Sequence, residues 1–297
     1  MDTPQTSFPG NISEGTLPAS RPVNPDDPPW GIAGAVGVFI MAFVLMLVVQ
    51  TVFLVLYVFK RGVPFTPDAL AEFATKDISA IFIQIVSIIP AHLLTLGLAW
   101  LVVTRVGKYP FLQALGLESD SKPRFLLMFS ICAGLAVLLL LLSFGLVKIT
   151  GNPETALDKL IESSRATALA TAFAATFTAP LVEEIVFRGV LYSALQRLTG
   201  AAAAVVIVAL LFAGIHVPQY WGNYGVIGSI LLLSFTLTTI RALTGKLLPC
   251  FFVHLVFNGI QSFLIVLNPY FERLSPEKSP APGALVHAVL NLLHTAL

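Results

Sequence analysis

The chain has 297 residues, of which 56% are hydrophobic and 11% are charged. Soluble domains carry roughly 25% charged residues, so this composition is typical of a protein that faces lipid. The 17 basic and 16 acidic residues are spread along the chain and give a net charge of +1. Because they form no basic stripe, the charge pattern argues against a nucleic-acid partner.

The composition divides the chain into three regions. Residues 1–30 are rich in Pro, Ser, Asn and Asp, lack the features of a signal peptide, and are predicted to form a disordered polar tail. Residues 31–268 are predicted to form one membrane domain, and residues 269–297 a second tail whose end, 284–297, fits a short interfacial helix. Cys132 and Cys250 lie in apolar runs, where single cysteines are usually small buried hydrophobes.

Long apolar segments dominate the central region. A membrane-spanning helix needs about 20 predominantly apolar residues. Seven segments meet or approach that length, and they cover residues 31–59, 79–103, 125–149, 166–182, 201–217, 225–240 and 247–267. We therefore predict an all-α fold, a polytopic bundle of transmembrane helices with about seven to eight spans. Lys and Arg are nearly balanced between alternate connections, so the positive-inside rule gives no orientation.

Acidic residues are almost absent from these segments. All seven Asp and seven of the nine Glu lie in tails or connections, and the two exceptions are Glu183 and Glu184. A charge at the centre of a membrane helix is unfavourable by roughly 2.5 to 3.5 kcal/mol, and such residues usually face a cavity and serve function. This adjacent pair therefore marks a candidate functional site.

The spacing around this pair predicts different roles for the two carboxylates. Glu184 and Arg188 are four residues apart, so on a helix they share a face and can form an ion pair. Glu183 points about 100° away and has no such partner in the sequence. An unpaired carboxylate in apolar surroundings suits a general base. The alternative for Glu184 and Arg188 is a purely structural ion pair between helices.

Two histidines in apolar segments extend the candidate site. His216 follows Phe212 by four residues and His254 precedes Asn258 by four, so each pair shares a helix face. The imidazole and carboxamide of His254 and Asn258 suit an oxyanion hole, or a site for metal and water. Together with Glu183 these groups could bind and activate water, while Phe212 is predicted to pack as a wall of the cavity.

These residues resemble the pattern of the CPBP family of intramembrane proteases, also called the Abi or CAAX-protease family. That pattern is Glu-Glu-x-x-x-Arg, then Phe-x-x-x-His, then His-x-x-x-Asn on successive membrane helices. All three motifs occur here in that order, within residues 166–267. The resemblance implies a hydrolase, an intramembrane endopeptidase in which Glu183 and His216 activate the attacking water. By the same resemblance His254 and Asn258 would stabilise the oxyanion, and Glu184 and Arg188 would hold the geometry.

The resemblance leaves the catalytic type open between a metalloprotease and a metal-independent glutamate protease. Glu183, His216 and His254 are a plausible zinc set, so zinc is the one cofactor considered. The implied partners are the lipid bilayer and a membrane-associated protein or lipopeptide substrate, and the implied location is the cell membrane. Prenylated CAAX proteins are the eukaryotic substrates of this family, and its bacterial members include proteins of immunity to peptide toxins.

Two other classes of function fit the same buried polar cluster. A transporter or channel could use it to bind an ion or relay protons, and a non-catalytic immunity or scaffold protein could keep it for structure. Other protease types fit less well. The sequence has no His-Glu-x-x-His motif, no Asp within a span and no Gly-x-Ser-x-Gly motif.

Three further features receive structural interpretations from the sequence. His92, within a predicted span, is interpreted as a packing residue. Arg241 is interpreted as an anchor whose charge extends to the membrane interface. Tyr220, Trp221 and Tyr224 follow His216 and are interpreted as part of an aromatic belt at the membrane surface.

Overall fold

The computed structural model describes residues 24–118 and 121–274, with side chains to residue 268. This part of the chain is helical and contains no β-strand. The helices, in chain order, are α1 (Ile32–Arg61), α2 (Pro67–Lys76), α3 (Ile78–Thr104), α4 (Phe111–Leu115), α5 (Lys122–Thr150), α6 (Ala156–Glu162), α7 (Arg165–Thr199), α8 (Ala201–His216), α9 (Tyr224–Thr244) and α10 (Leu248–Leu274).

Six helices are long and apolar enough to cross a membrane: α1, α3, α5, α7, α9 and the 248–268 part of α10. The protein is therefore an integral, multi-pass membrane protein, and the predicted all-α helix bundle is confirmed. The seventh predicted span corresponds to α8, whose 16 residues extend about 24 Å, short of the ~30 Å hydrocarbon core. The predicted helix at 284–297 and the chain before residue 24 lie outside the described residues.

Local sequence signals set the ends of several helices. α2 begins at Pro67 after the Thr66 N-cap, and α6 begins with a reciprocal capping box between Thr155 and Asp158. α9 ends at Gly245, which adopts the left-handed conformation with φ 65°. These capped ends allow short connections, which bring consecutive helices side by side.

Two apolar clusters hold the helices together. The first joins α1, α3, α7 and α8 and includes Phe187 and Phe212. The second joins α5, α9 and α10 and includes Leu139, Leu237 and Phe257. Helix α7 belongs to the first cluster, and its polar side chains reach α9 and α10 of the second.

The segment just before α1 is folded onto the helices, whereas the sequence predicts a disordered tail up to residue 30. Trp30 is buried, and its indole N–H donates to the backbone carbonyl of Val190 in α7 at 3.1 Å. Asp27 accepts from Arg197 of α7 at 2.9 Å. The polar composition of residues 24–30 indicates disorder, but it does not show the partners that order the segment. Those partners lie more than 150 positions away along the chain.

Arg241 is fully buried, so its interpretation as an interface anchor is wrong. Its Nη1 donates to Asp26 Oδ1 at 2.7 Å, and its Nη2 donates to the Pro25 carbonyl at 2.9 Å and to Ser193 Oγ at 3.0 Å. The guanidinium also lies 5.7 Å from the centroid of the Tyr192 ring. A buried charge is tolerated when it is paired and hydrogen-bonded, and here the N-terminal segment supplies the anion.

Candidate active site

Helix α7 departs from α-helical geometry on both sides of the glutamate pair. Residues Ala174–Thr178 and Glu184–Tyr192 form π-helical turns, and a short α-helical stretch, Ala179–Glu183, separates them. π-Helical turns within α-helices are rare and occur frequently at functional sites. The two carboxylates therefore lie at an irregular point of a membrane-spanning helix.

The predicted pairing of Glu184 with Arg188 is confirmed. Arg188 Nη1 donates to Glu184 Oε1 at 3.0 Å, and both side chains are fully buried. The other guanidinium donors bind α9, with Nε 3.2 Å from Thr238 Oγ1 and Nη2 2.6 Å from Ser234 Oγ. Arg188 Cζ also lies 4.4 Å from the centroid of the Phe212 ring. These contacts neutralise and orient a cation that would otherwise be unfavourable inside the membrane domain.

His254 of α10 lies between the two glutamates. Its Nδ1 is 2.8 Å from Glu184 Oε1, and its Nε2 is 3.6 Å from Glu183 Oε2. Glu184 Oε1 is the carboxylate oxygen that also accepts from Arg188, so it accepts a hydrogen from His254 Nδ1. This bond orients the imidazole with Nε2 toward Glu183. Of the four side chains in this network, Glu183 is the accessible one, at 21% exposed.

His216 ends α8 next to Phe212. Its Nδ1 is 2.7 Å from the backbone carbonyl oxygen of Phe212. A carbonyl only accepts, so Nδ1 carries the hydrogen and the neutral imidazole keeps a lone pair on Nε2. The Phe212 ring contacts both imidazoles, with centroid separations of 4.7 Å to His216 and 5.9 Å to His254. Phe212 thus packs against both histidines, and its predicted role as a wall of the cavity stays a prediction.

Asn258, four residues after His254, binds the first π-helical turn. Its Nδ2 donates to the backbone carbonyl of Ala175 at 2.9 Å. This carbonyl lacks a helical partner, because the N–H of Ala179 donates to Ala174 instead and Pro180 has no N–H. One amide hydrogen of Asn258 therefore completes the turn, and the second is left for another acceptor.

His92 is a residue near Glu183 that belongs to none of the three motifs. It is buried in α3, and its Nδ1 lies 2.9 Å from Thr178 Oγ1 in α7. Thr178 lies five residues before Glu183 in the same helix, so this contact places His92 beside the segment that leads to the glutamate pair. The signal for His92 in the sequence is a histidine within a span, which by itself does not distinguish packing from function.

The aromatic residues after His216 divide into two groups. Trp221 and Tyr224 are exposed, at 77% and 74%, as the predicted aromatic belt requires. Tyr220 is half-buried in the connection between α8 and α9. Burial raises the pKa of its hydroxyl, and the charges of Asp158 and Glu183 raise it further. Tyr220 is therefore less exposed than the other two aromatic residues of the predicted belt.

The predicted zinc ligands are only partly brought together. Glu183 and His254 approach each other closely, but the described residues contain no group of three His, Cys, Asp or Glu side chains placed to hold a metal ion. Catalytic zinc sites use three protein ligands. A zinc set of Glu183, His216 and His254 therefore stays a prediction.

One family model matches the part of the chain that carries all three motifs. The family described as type II CAAX prenyl endopeptidase, Rce1-like, matches residues 165–260. This match confirms the resemblance that the motifs indicate. No curated protein and no solved structure matches the chain significantly.

Proposed function

We propose that the protein hydrolyses a peptide bond of a membrane-associated protein or peptide in the cell membrane, because residues 165–260 match the family of type II CAAX prenyl endopeptidases, Rce1-like. The observation that carries the proposal is the chain of contacts that ends at Glu183. It begins at Arg188 and passes through Glu184 and His254. It leaves one accessible carboxylate at the end of a buried network, inside a membrane-spanning helix.

Glu183 is the proposed general base. It takes a proton from a water molecule, whose oxygen attacks the carbonyl carbon of the scissile peptide bond. The Nε2 lone pair of His216 accepts the second hydrogen of that water, because Nδ1 of His216 is held by the Phe212 carbonyl. Two acceptors then orient the water, and general base catalysis of this kind contributes about 10²- to 10⁴-fold to the rate.

His254 and Asn258 are the proposed oxyanion donors. When His254 carries a hydrogen on both nitrogens, it donates Nδ1–H to Glu184 and Nε2–H to the oxyanion of the tetrahedral intermediate. Asn258 contributes the amide hydrogen that is not bonded to Ala175. The carbon–nitrogen bond then breaks, and Glu183 passes its proton to the leaving amine. The products are a carboxylic acid and an amine. The acid then passes its remaining proton to the amine or to water and becomes a carboxylate, and Glu183 is ionised again.

The position of the site favours a lipophilic substrate. Glu183 and its partners lie within α7, α8 and α10, so the scissile bond has to enter from the bilayer or from its border. A lipid group attached near the bond would hold the peptide at that depth. A prenylated CAAX-type peptide is therefore the first substrate to test.

The test is cleavage of a quenched fluorescent, prenylated CAAX-type peptide by purified protein in detergent. We expect Glu183→Gln, which keeps the size of the side chain, to lower kcat by about 100-fold or more. Glu118→Gln, at an exposed glutamate outside the motifs, is the matched control and should cleave at the wild-type rate. Cleavage by Glu183→Gln at the wild-type rate would contradict the proposal.

A strong zinc chelator added to the same assay distinguishes the catalytic types. Cleavage that persists in chelator but is lost in Glu183→Gln indicates a glutamate peptidase, and loss in both indicates a zinc enzyme. A transporter would instead show ion flux in proteoliposomes that depends on Glu183, with no peptide cleaved. A scaffold would show neither activity.

A further inference from the structure

We propose that His92 is a positioning residue for Glu183, and that it acts by holding the π-helical turn Ala174–Thr178 through its hydrogen bond to Thr178. The inference rests on the proposed function of Glu183 as general base. His92 lies in α3, outside the three motifs and outside the matched residues 165–260. It would make the N-terminal half of the chain part of the active site.

Burial makes the presence of a histidine at this position informative. His92 is 5% exposed within a membrane-spanning helix. Burial of an imidazole away from water is unfavourable unless it is hydrogen-bonded, so an apolar residue of similar size would pack as well or better if packing were its only role. The hydrogen bond that the imidazole makes is to Thr178, in another helix and five residues before Glu183.

The direction of the bonds links His92 to the backbone of the turn. Thr178 Oγ1 lies 3.3 Å from the carbonyl of Ala174, to which its single hydrogen is donated. The hydroxyl oxygen then accepts from His92 Nδ1–H at 2.9 Å. The carbonyl of Ala174 is also the one that accepts the π-helical bond from Ala179. His92 therefore orients the Thr178 hydroxyl, which donates to the same carbonyl that accepts the π-helical hydrogen bond.

The turn is held from two sides and lacks one backbone hydrogen bond, the one at the Ala175 carbonyl. Pro180 removes one backbone donor, and Asn258 of α10 supplies the replacement at Ala175. His92 of α3 holds the opposite end of the turn at Thr178. The two side chains come from different helices, so the turn is fixed relative to both.

The π-helical turn sets the direction in which Glu183 points. A π-helical turn contains one extra residue, so its relaxation to an α-helix would rotate the following residues by about 100° relative to the preceding ones. Such a rotation would move Glu183 away from His254, which now lies 3.6 Å from it. A bond that stabilises the turn therefore preserves the catalytic geometry without touching the substrate.

The test measures kcat, KM and the thermal unfolding midpoint of full-length variants in detergent. We expect His92→Leu and Thr178→Val each to lower kcat about 10- to 100-fold, with KM and the unfolding midpoint unchanged. His92→Asn places an amide near the Nδ1 position and should restore activity, whereas His92→Gln, which extends beyond it, should not. The double variant should be no worse than the single ones, because both remove the same bond.

Thr95→Val is the matched control. Thr95 is a buried hydroxyl one turn from His92 in α3, and it donates to Ala91 of its own helix. This variant should keep the wild-type kcat. Unchanged kcat in His92→Leu, additive losses in the double variant, or no rescue by His92→Asn would overturn the proposal.

Hydrogen exchange of the backbone at residues 174–183 gives a second measurement that needs no peptidase activity. His92→Leu and Thr178→Val should exchange faster in this segment than wild type, and Thr95→Val and His92→Asn should not. If Glu183→Gln proves silent in the cleavage assay, the proposed function fails. If exchange is unchanged in His92→Leu, the positioning role fails, whatever the protein cleaves.

Discussion

His254 Nδ1 lies 2.8 Å from Glu184 Oε1, the same oxygen that accepts from Arg188 at 3.0 Å. The second oxygen, Oε2, is buried and has no hydrogen-bond partner among the described residues. Glu184 Oε1 therefore links the Arg188 guanidinium to the His254 imidazole, which faces Glu183. The two adjacent glutamates therefore have different surroundings: Glu184 is buried against His254 and Arg188, and Glu183 is left accessible.

Removal of Arg188 should destabilise the protein strongly. In Arg188→Met, the buried Glu184 loses its cation, and breaking a buried ion pair by removing one partner is unfavourable by about 3–5 kcal/mol. We expect a large fall in the thermal unfolding midpoint in detergent. Lys60→Met, at an exposed cation near the end of α1, is the control and should leave the midpoint unchanged.

The double variant Glu184→Gln/Arg188→Met separates charge burial from packing. It removes the uncompensated carboxylate, so it should be more stable than Arg188→Met alone. A double variant that unfolds at a lower temperature than the single one would show that Glu184 stabilises the fold without Arg188. Cleavage should be lost in both variants, because His254 would lose its orientation.

The two histidines of the site should respond differently to alanine. His216 is partly exposed, and its described hydrogen bond is to a carbonyl of its own helix, so His216→Ala should lower kcat about 10²- to 10⁴-fold with little change in the unfolding midpoint. His254 is buried between two carboxylates, so His254→Ala should lower both kcat and the midpoint. Equal loss of stability in the two variants would contradict this distinction.

The spacing of the motifs was sufficient to predict part of the site. Glu184 and Arg188 pair as an i,i+4 contact requires, and Phe212 with His216 shows the same spacing on α8. These predictions succeed because each contact lies within one helix. The length of the apolar segments was sufficient to predict the helix bundle, because a helix needs about 20 apolar residues to cross a membrane.

Contacts between helices could not be predicted in the same way. The bonds from Arg188 to Ser234 and from His92 to Thr178 join positions 46 and 86 residues apart, and no periodicity links them. The prediction that Arg241 anchors the membrane interface failed for a similar reason. Its anion, Asp26, lies 215 residues away in a segment of polar composition. Sequence periodicity predicts which residues share a face of one helix, but it does not predict which residue of another helix contacts that face.

The two aspartates of the N-terminal segment should differ in their effect on stability. Asp26 is 49% exposed and pairs with a fully buried arginine, whereas Asp27 is 75% exposed and pairs with the partly exposed Arg197. Asp27→Asn should change the free energy of unfolding by about 0–1 kcal/mol. Asp26→Asn should be more destabilising, because Arg241 would remain buried without its anion.

Thermal unfolding of the two variants in the same detergent and salt checks this prediction. The two substitutions make the same chemical change one residue apart, so each is the control for the other. High salt should weaken the Asp27 pair more than the Asp26 pair, since exposed charges are screened more strongly. Equal midpoints for the two variants would mean that the N-terminal segment does not stabilise Arg241.

Two glycines of α9, one turn apart, should show where this helix needs close packing. A Cβ atom at Gly225 would contact the Thr150 hydroxyl and lie 2.8 Å from Val147 Cα of α5, whereas at Gly228 its nearest neighbour would be Leu146 Cδ1 at 3.9 Å. Gly225→Ala should therefore push α9 away from α5 and lower the unfolding midpoint, as expected where small residues allow close helix contact in membranes. Gly228→Ala should be neutral or slightly stabilising, because alanine favours a helix over glycine by about 0.8–1 kcal/mol. Both variants should be compared with wild type in one detergent, and a lower midpoint for Gly228→Ala than for Gly225→Ala would contradict the packing of α5 against α9.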